Sequence, residues 1–358
     1  MEGAASVDAA LANALADIPG AAAPTAATAG VVVDGSTLFL GGAGSADDGA
    51  ACAEAAATTV FVTASISKTF IAALSLQCAE RGELDLDADV NVALSQGGEP
   101  TPGPVGNPHF AESPVTARHL LQHRSGLVDN ESNLESGSPY RWPAGSATAV
   151  GLAEYVQREL AQNAEPSAAL WSQHAAPGSA TYHYSNAGFT LLGLVVERAT
   201  GTPLPQLARA RLFGPLGMGA TAFFLSELQG REELRFAAPR GQPEPGGHYE
   251  VAEYPAAQVR STAADLCRWL SFLTRPEPEP EPEPPGPGPG PAQRILSRES
   301  IEAMLPSSGS GSLAWWGMDA QYSEKRRGQF EHGGFMQGIR SKQTRNAFSI
   351  CAQACRES

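Results

Sequence analysis

Apolar positions along the chain fall into two periods. From Ser65 onward, Ile66, Phe70, Leu74 and Cys78 recur every four residues, the spacing of one buried helical stripe. Gly82 supplies a stop after Arg81. Helical patterns also run over Thr116 to Gln122, Ala153 to Ala161, Phe189 to Ala199, Leu204 to Leu212, Thr262 to Leu273 and Arg298 to Leu305. Ser261 or Thr262 is placed to cap the segment before Leu273. A short Ala-rich helix is expected over residues 8–17. Strand patterns are fewer. Two apolar runs between Ala29 and Leu40 flank Asp34-Gly35, a strong hairpin signal. Thr58 to Val62 is β-branched and aromatic. Ala314 to Ala320 and Gln329 to Ile339 also read as extended.

Residues 276–291 break both periods: PEPEPEPEPPGPGPGP. Proline at about every second position excludes a helix interior or a central strand. The segment reads as a solvated, extended surface insertion. A ligand for a proline-binding domain is the sharper alternative.

Composition narrows the class. The 358 residues are 42% hydrophobic and 17% charged, which supports a real core in one large domain or two subdomains. A net charge of −14 repels a polyanionic backbone and argues against nucleic acid as a partner. No Lys or Arg precedes Lys68, so a secretory or mitochondrial leader is not expected. No stretch is long and apolar enough to span a bilayer. A soluble, cytoplasmic protein with a small-molecule substrate is expected, and its oligomeric state is open. The five cysteines, Cys52, Cys78, Cys267, Cys351 and Cys355, are odd in number and form no C-x-x-C. They read as free thiols in a reducing compartment. Cys78 and Cys267 fall on helical patterns and are expected to pack as small hydrophobes.

Three short motifs carry candidate chemistry: Ser65-Ile-Ser-Lys68, Tyr184-Ser-Asn186 and His332-Gly-Gly334. Residues i and i+3 share a helix face, so Lys68 is placed within reach of a Ser65 hydroxyl at the start of a helix. A serine hydroxyl is a poor nucleophile until a base takes its proton. Lysine can be that base only when burial and its neighbours make it neutral. Lys68 lies between Ile66 and Phe70 on a helix that reads as buried. A Tyr184 phenol near such a lysine can shuttle the proton to a leaving group. Asn186, two residues on in an extended segment, is expected on the same side, to hold Lys68 and donate to a substrate carbonyl. Glycines at 333 and 334 admit a substrate backbone, and the Phe335 N–H could pair with that of Ser65 as an oxyanion hole. Taken singly, Tyr184 is a core aromatic and His332-Gly-Gly334 a Gly-rich turn. Their joint occurrence in this order carries the signal. His119 and His123 have metal-ligand spacing, but without H-E-x-x-H or a third ligand they read as packing or capping residues. No metal or cofactor is called for.

The order S-x-x-K, Y-x-N, H-x-G resembles the serine β-lactamase-related superfamily, which includes class C β-lactamases, D-Ala carboxypeptidases, D-aminopeptidases and type VIII esterases. Flanking segments are similar too: Phe61-Val-Thr-Ala-Ser-Ile-Ser-Lys-Thr-Phe70, Thr116-Ala-Arg-His-Leu-Leu-Gln-His-Arg-Ser-Gly-Leu127, Tyr184-Ser-Asn-Ala-Gly-Phe-Thr-Leu-Leu-Gly193, Pro215-Leu-Gly-Met218, Val259-Arg-Ser-Thr-Ala-Ala-Asp-Leu266 and Glu331-His-Gly-Gly-Phe-Met-Gln-Gly338. The resemblance runs from about Asp17 to Lys342. It implies an α+β fold, an α/β/α sandwich around an antiparallel sheet, plus a mainly helical subdomain, with the site between them. On that pattern residues 1–96 and 292–358 form the α/β part, 97–274 the helical part and 275–291 the Pro/Glu/Gly-rich surface loop. The implied roles are Ser65 as nucleophile, Lys68 as base and Tyr184 as acid/base. Asn186, His332, Gly334 and Phe335 bind substrate.

The chain departs from the family pattern in two places. His332 replaces the lysine of the K-T-G version and is a weaker, pH-dependent cation. That points to an esterase or D-peptidase-like relative rather than a true β-lactamase, acting on a small ester, amide, D-peptide or lactam. After Lys342 the sequence turns polar where the family continues with apolar strands and a closing helix. A sheet without closing strands exposes an edge. This leaves a second reading open, a catalytically silent scaffold or truncated gene product.

Overall fold

The computed structural model describes residues 26–47, 52–96, 102–146, 149–162, 164, 167–237, 247–275, 295–305, 313, 316–317, 330–336, 339–345 and 349–355. The helix expected over 8–17 and the segment 276–291 lie outside the described residues.

Strands β1 (Ala26–Val33) and β2 (Ser36–Asp47) form the expected hairpin. Asp34 and Gly35 both have positive φ, 47° and 74°, the type I′ pattern that matches strand twist. Then come β3 (Cys52–Glu54), β4 (Thr59–Val62), a 3-10 turn Ala64–Ile66 and helix α1 (Ser67–Glu80). The middle of the chain holds α2 (Val90–Leu94), α3 (Ala117–Leu121), β5 (Arg141–Pro143), α4 (Leu152–Glu159), α5 (Asn186–Thr200) and α6 (Leu204–Ala208). A π turn, Arg209–Phe213, extends α6. Next are β6 (Arg235–Phe236), β7 (Tyr249–Val251), α7 (Tyr254–Ala257), β8 (Arg260–Ser261), α8 (Ala263–Thr274) and α9 (Arg298–Met304). The last strands are β9 (Trp316–Gly317), β10 (Phe330–Met336), β11 (Ile339–Arg345) and β12 (Ser349–Cys355).

Seven strands make one sheet in the order β3-β2-β1-β12-β11-β10-β9, with antiparallel pairing throughout. Both ends of the described chain therefore meet in it, Gly30 opposite Cys351. With helices packed on the sheet and a mainly helical part alongside, the fold is of the α+β class. The polar tail does not leave the sheet unclosed: β12 pairs with β11 on one side and β1 on the other. Strand pairing uses backbone groups, and a period of two is enough. Ile350, Ala352 and Ala354 alternate with Ser349, Cys351 and Gln353.

Helix α8 packs on β1, β2 and β12. The sequence boundary grouped it with the helical part; its apolar side instead covers the sheet. Gly30 makes the close approach possible, since a Cβ there would stand 2.2 Å from Cys267 Sγ. Cys78 and Cys267 are buried free thiols, and burial pushes both up to about 12. Helix α1 is the hub, packed against α5, α7 and α9. Its sequence predicted a single buried stripe, yet every residue from Ser67 to Cys78 is buried. A helix with partners all round has no solvent face. Phe70 ties it to α8 through Trp269, ring centroids 5.2 Å apart. No helix among the described residues is long and apolar enough to cross a membrane.

Candidate active site

The chain enters α1 through a strained turn. Ala64, fully buried, has φ 48°, a left-handed conformation that costs an L-residue about 1–2 kcal/mol. Its neighbours are anchored to Val259: Thr63 Oγ1 donates to the Val259 carbonyl at 2.8 Å, and the Val259 N–H donates to Ser67 Oγ at 2.9 Å. Ser65 was expected at the first helical position. It sits instead on the 3-10 turn, two residues before α1 begins, while Lys68 falls in the first turn of α1. Ser65 is 8% exposed and Lys68 is fully buried.

Lys68 Nζ has three polar neighbours: Ser65 Oγ at 3.2 Å, Asn186 Oδ1 at 2.6 Å and the Ala256 carbonyl of α7 at 2.9 Å. As a neutral amine it has two N–H donors and one lone pair. The Asn186 and Ala256 oxygens take the two donors, and the lone pair is left to accept the Ser65 hydroxyl proton. Burial lowers the Lys68 pKa to about 7, against the opposing pull of Asp129 and Glu253. The Tyr184 hydroxyl donates to Ser65 Oγ at 2.7 Å. Burial pushes this phenol well above its ordinary value, an effect its bond to Ser65 offsets only in part. Lys68 Nζ also lies 4.7 Å from the Tyr184 ring centroid. Ser65, Lys68, Tyr184 and Asn186, from two segments over a hundred residues apart, thus form one hydrogen-bonded set.

The second motif is held differently from expectation. It is not one extended run. Ser185 is the N-cap of α5, its Oγ accepting the Gly188 N–H at 2.9 Å, and Asn186 is the first helical residue. The turn at Ser185, rather than strand alternation, brings Tyr184 and Asn186 to the same lysine. Two residues not singled out for the site secure that turn. Asp129 Oδ1 accepts the Asn186 and Ala187 N–H groups at 2.6 and 3.2 Å, a carboxylate at the positive end of α5. His123 Nδ1 accepts the Ser185 N–H at 3.0 Å, its carbonyl accepts the His183 N–H at 2.9 Å, and its ring lies 4.5 Å from that of Tyr184. The helical spacing of His119 and His123 was misleading. Helix α3 ends at Leu121, and His123 has φ 55°. His119 completes a capping box with Thr116.

His332, Gly334 and Phe335 lie on β10, opposite Gln343, Ser341 and Arg340 of β11. The backbone of β10 runs beside the Ala64–Ile66 turn, so the third motif is carried to the edge of the set formed by the first two.

The Beta-lactamase family profile matches residues 7–344. Esterase EstB of Burkholderia gladioli is 34% identical over 210 residues, 57% of this chain and 48% of that protein. Penicillin-binding protein 4 of Amycolatopsis lactamdurans is 28% identical over 219 residues, 59% of this chain and 50% of that protein. The chain thus spans about half the length of these curated relatives. Among solved structures, the D-amino acid amidase from Ochrobactrum anthropi SV3, complexed with L-phenylalanine amide, superposes with a TM-score of 0.68 at 20% identity, over 99% of this chain and 91% of that one. That likeness shows the shared fold.

Proposed function

The chain belongs to the Beta-lactamase family, and from that premise we propose that it is an acyl-serine hydrolase with Ser65 as nucleophile. One observation carries this reading: Ser65 Oγ stands between Lys68 Nζ at 3.2 Å and Tyr184 Oη at 2.7 Å. Neutral Lys68 takes the Ser65 proton as Oγ attacks the substrate carbonyl carbon. The oxyanion is received by the backbone N–H groups of Ser65 and Phe335. Tyr184 gives its proton to the leaving group as the carbonyl reforms, and recovers one from the Lys68 ammonium. Water then attacks the acyl-enzyme, losing its proton to the same pair, and Ser65 leaves with a proton. Asn186 holds the lysine and contacts substrate, together with His332 and Gly334.

The substrate is a small ester, amide, D-peptide or lactam. His332 in place of a permanent cation favours an ester or D-peptide over a β-lactam, and a relative named as an esterase supports that preference. The reading includes a reducing, cytoplasmic setting, which fits the buried thiols of Cys78 and Cys267. The alternative, a catalytically silent scaffold or truncated gene product, was motivated by the polar tail; the pairing of β12 with β1 supports the first reading. A fluorophosphonate probe is the test. It should label the wild type and not Ser65→Ala, and a folded wild type that resists the probe refutes the proposal. Among nitrocefin, p-nitrophenyl butyrate and D-Ala-p-nitroanilide, the first should be the poorest substrate.

A further inference from the structure

The segment that delivers Tyr184 carries a second tyrosine that no step of the reaction uses. Tyr182 is 48% exposed, whereas Ser65 is 8% exposed and Tyr184 half-buried. A single apolar side chain at a surface is ordinary, and Leu38, Leu40 and Val92 are such cases. The two leucines stand on β2, separated from β10 and the Ser65 turn by β1, β12 and β11. Val92 stands on α2. Tyr182 differs in its placement. Its ring meets the His123 imidazole edge to face, centroids 5.5 Å apart and planes at 67°. The same imidazole holds the Tyr184 ring at 4.5 Å. The two tyrosines therefore lie on one side of their segment, with rings no further apart than these two distances together. The backbone between them is fixed, because the His123 carbonyl accepts the His183 N–H at 2.9 Å. Tyr182 is thus a ring pinned on one side by His123, open to solvent on the other, and adjacent to the proton donor of the site. A rigid aromatic surface of this kind offers contact area at little cost in conformational entropy.

We propose that Tyr182 determines specificity for the leaving group: its ring is the wall against which an aromatic ring on the alcohol side of an ester packs. The inference rests on the reading of the chain as an acyl-serine hydrolase with Tyr184 as proton donor. In that reaction the leaving oxygen comes within hydrogen-bond reach of Tyr184 Oη, which stands 2.7 Å from Ser65 Oγ. Whatever the leaving group carries therefore starts beside Tyr184. The two neighbours of Tyr184 on the segment then do different work. Asn186 is turned by the Ser185 cap onto Lys68, 2.6 Å from its Nζ. Tyr182 lies on the other side of Tyr184 along the chain, away from the base. A benzyl group covers a half-exposed tyrosine ring and releases water from both apolar faces. Offset or edge-to-face geometry adds attraction beyond the area buried. A methyl or ethyl group is too small to do either. The substrate class that follows is an ester of a benzylic alcohol rather than of a short alkyl one.

The experiment compares kcat/KM for benzyl acetate with that for ethyl acetate, with thermal melts of each variant. The acyl group is the same and the two alcohols are of similar basicity, so the ratio reads contact with the leaving group. A second pair, ethyl phenylacetate against ethyl acetate, moves the ring to the acyl side. The wild type should prefer benzyl acetate, and Tyr182→Ala should lower that ratio by about 3- to 10-fold with no matching fall in the acyl-side ratio. Tyr182→Phe keeps the ring and should keep the ratio. Tyr182→Leu keeps an apolar cover on His123 and should also lose the preference. It decides the matter if Tyr182→Ala does not fold. A wild type that the fluorophosphonate probe labels but that shows no preference for benzyl acetate overturns the role of Tyr182 alone. So does a ratio that holds in the folded alanine or leucine variant, that falls as far in Tyr182→Phe, or that falls equally on the acyl side. A folded wild type that resists the probe overturns the acyl-serine reading, and the role of Tyr182 with it.

Discussion

His123 Nδ1 accepts the backbone N–H of Ser185 at 3.0 Å, and through that bond a residue remote in sequence fixes the turn from which Tyr184 and Asn186 project. The imidazole must be neutral and carry its proton on Nε2, because a proton on Nδ1 would oppose the Ser185 donor. The ring also packs against Tyr184, tilted by 31°. His123→Phe keeps the ring and loses the acceptor. His123→Asn keeps an acceptor and tolerates the positive φ of this position. Misplacing Tyr184 by a fraction of an ångström should lower kcat by about 10- to 100-fold in His123→Phe, with KM little changed. His123→Asn should recover most of that loss. Steady-state kinetics on an ester substrate check this, and wild-type kcat in His123→Phe would remove His123 from the positioning of Tyr184.

The pH profile of the wild type separates the two proton carriers. Lys68 is lowered by burial to about 7, whereas burial raises Tyr184 far above the working range. With these shifts, Lys68 is expected to titrate in the working range and Tyr184 to remain a neutral donor. Labelling by the fluorophosphonate probe should therefore rise through a midpoint near 7 and stay level to pH 9. Lys68→Arg should be inert at every pH, because a guanidinium does not become neutral. A midpoint near 10 would assign the limb to the phenol instead.

Ala64 tests whether backbone strain at the turn is part of the site. Glycine at this position relieves about 1–2 kcal/mol of left-handed strain, loses about 0.8 kcal/mol of methyl burial and gives the unfolded chain about 0.5–1 kcal/mol of entropy. These contributions nearly cancel, so Ala64→Gly should leave Tm almost unchanged. Its labelling rate should fall several-fold as the Ser65 turn loosens. Ala64→Val places a β-branched residue at φ 48° in a fully buried position. It should cost about 1–3 kcal/mol from overpacking on top of the added strain. Thermal melts in which the glycine variant is as unstable as the valine variant would show that the turn is not strained.

Much of this was legible in the sequence because short-range chemistry specified it. Asp34-Gly35 announces its hairpin. Ile66, Phe70, Leu74 and Cys78 announce α1, and the spacing of Ser65 and Lys68 puts them within reach of each other on the chain alone. Tyr184 and Asn186 were found by order and flanks, but the reason they converge was misread, since a period of two cannot reveal a helix N-cap at Ser185. His123 and Asp129 were hidden because their work is done on backbone N–H groups, which have no residue-specific spacing to match. Asp129 had one available signal, its place just past Ser125-Gly-Leu127 in a segment already quoted for the resemblance. The pairing of β12 with β1 was missed for a related reason. A polar strand between two neighbours is stabilised by pairing, which composition does not register.

Lys68 should cost the fold stability as well as serve the site, and the sign of that cost with pH is fixed. Its value is about 7 in the folded protein against 10.5 for an unburied lysine. Below pH 7 both states bind the proton, and the folded state does so at a full penalty. Between these two values the unfolded chain holds a proton that the folded protein has released. Stability therefore rises with pH by about 1.4 kcal/mol per unit from this group, and the penalty is gone above the unfolded value. Lys68→Met keeps the apolar stem and removes the titration. It also leaves the Asn186 and Ala256 oxygens without this donor, an offset that does not depend on pH. Loss of the cation leaves Glu253 costlier to ionise, which penalises the variant further as pH rises and so acts in the same direction. The difference in Tm, variant minus wild type, should thus be larger at pH 6.5 than at pH 9.5. Calorimetric melts of the two proteins at both pH values measure it. A difference that is constant, or that grows with pH, would mean that Lys68 is not held in a depressed state by the fold.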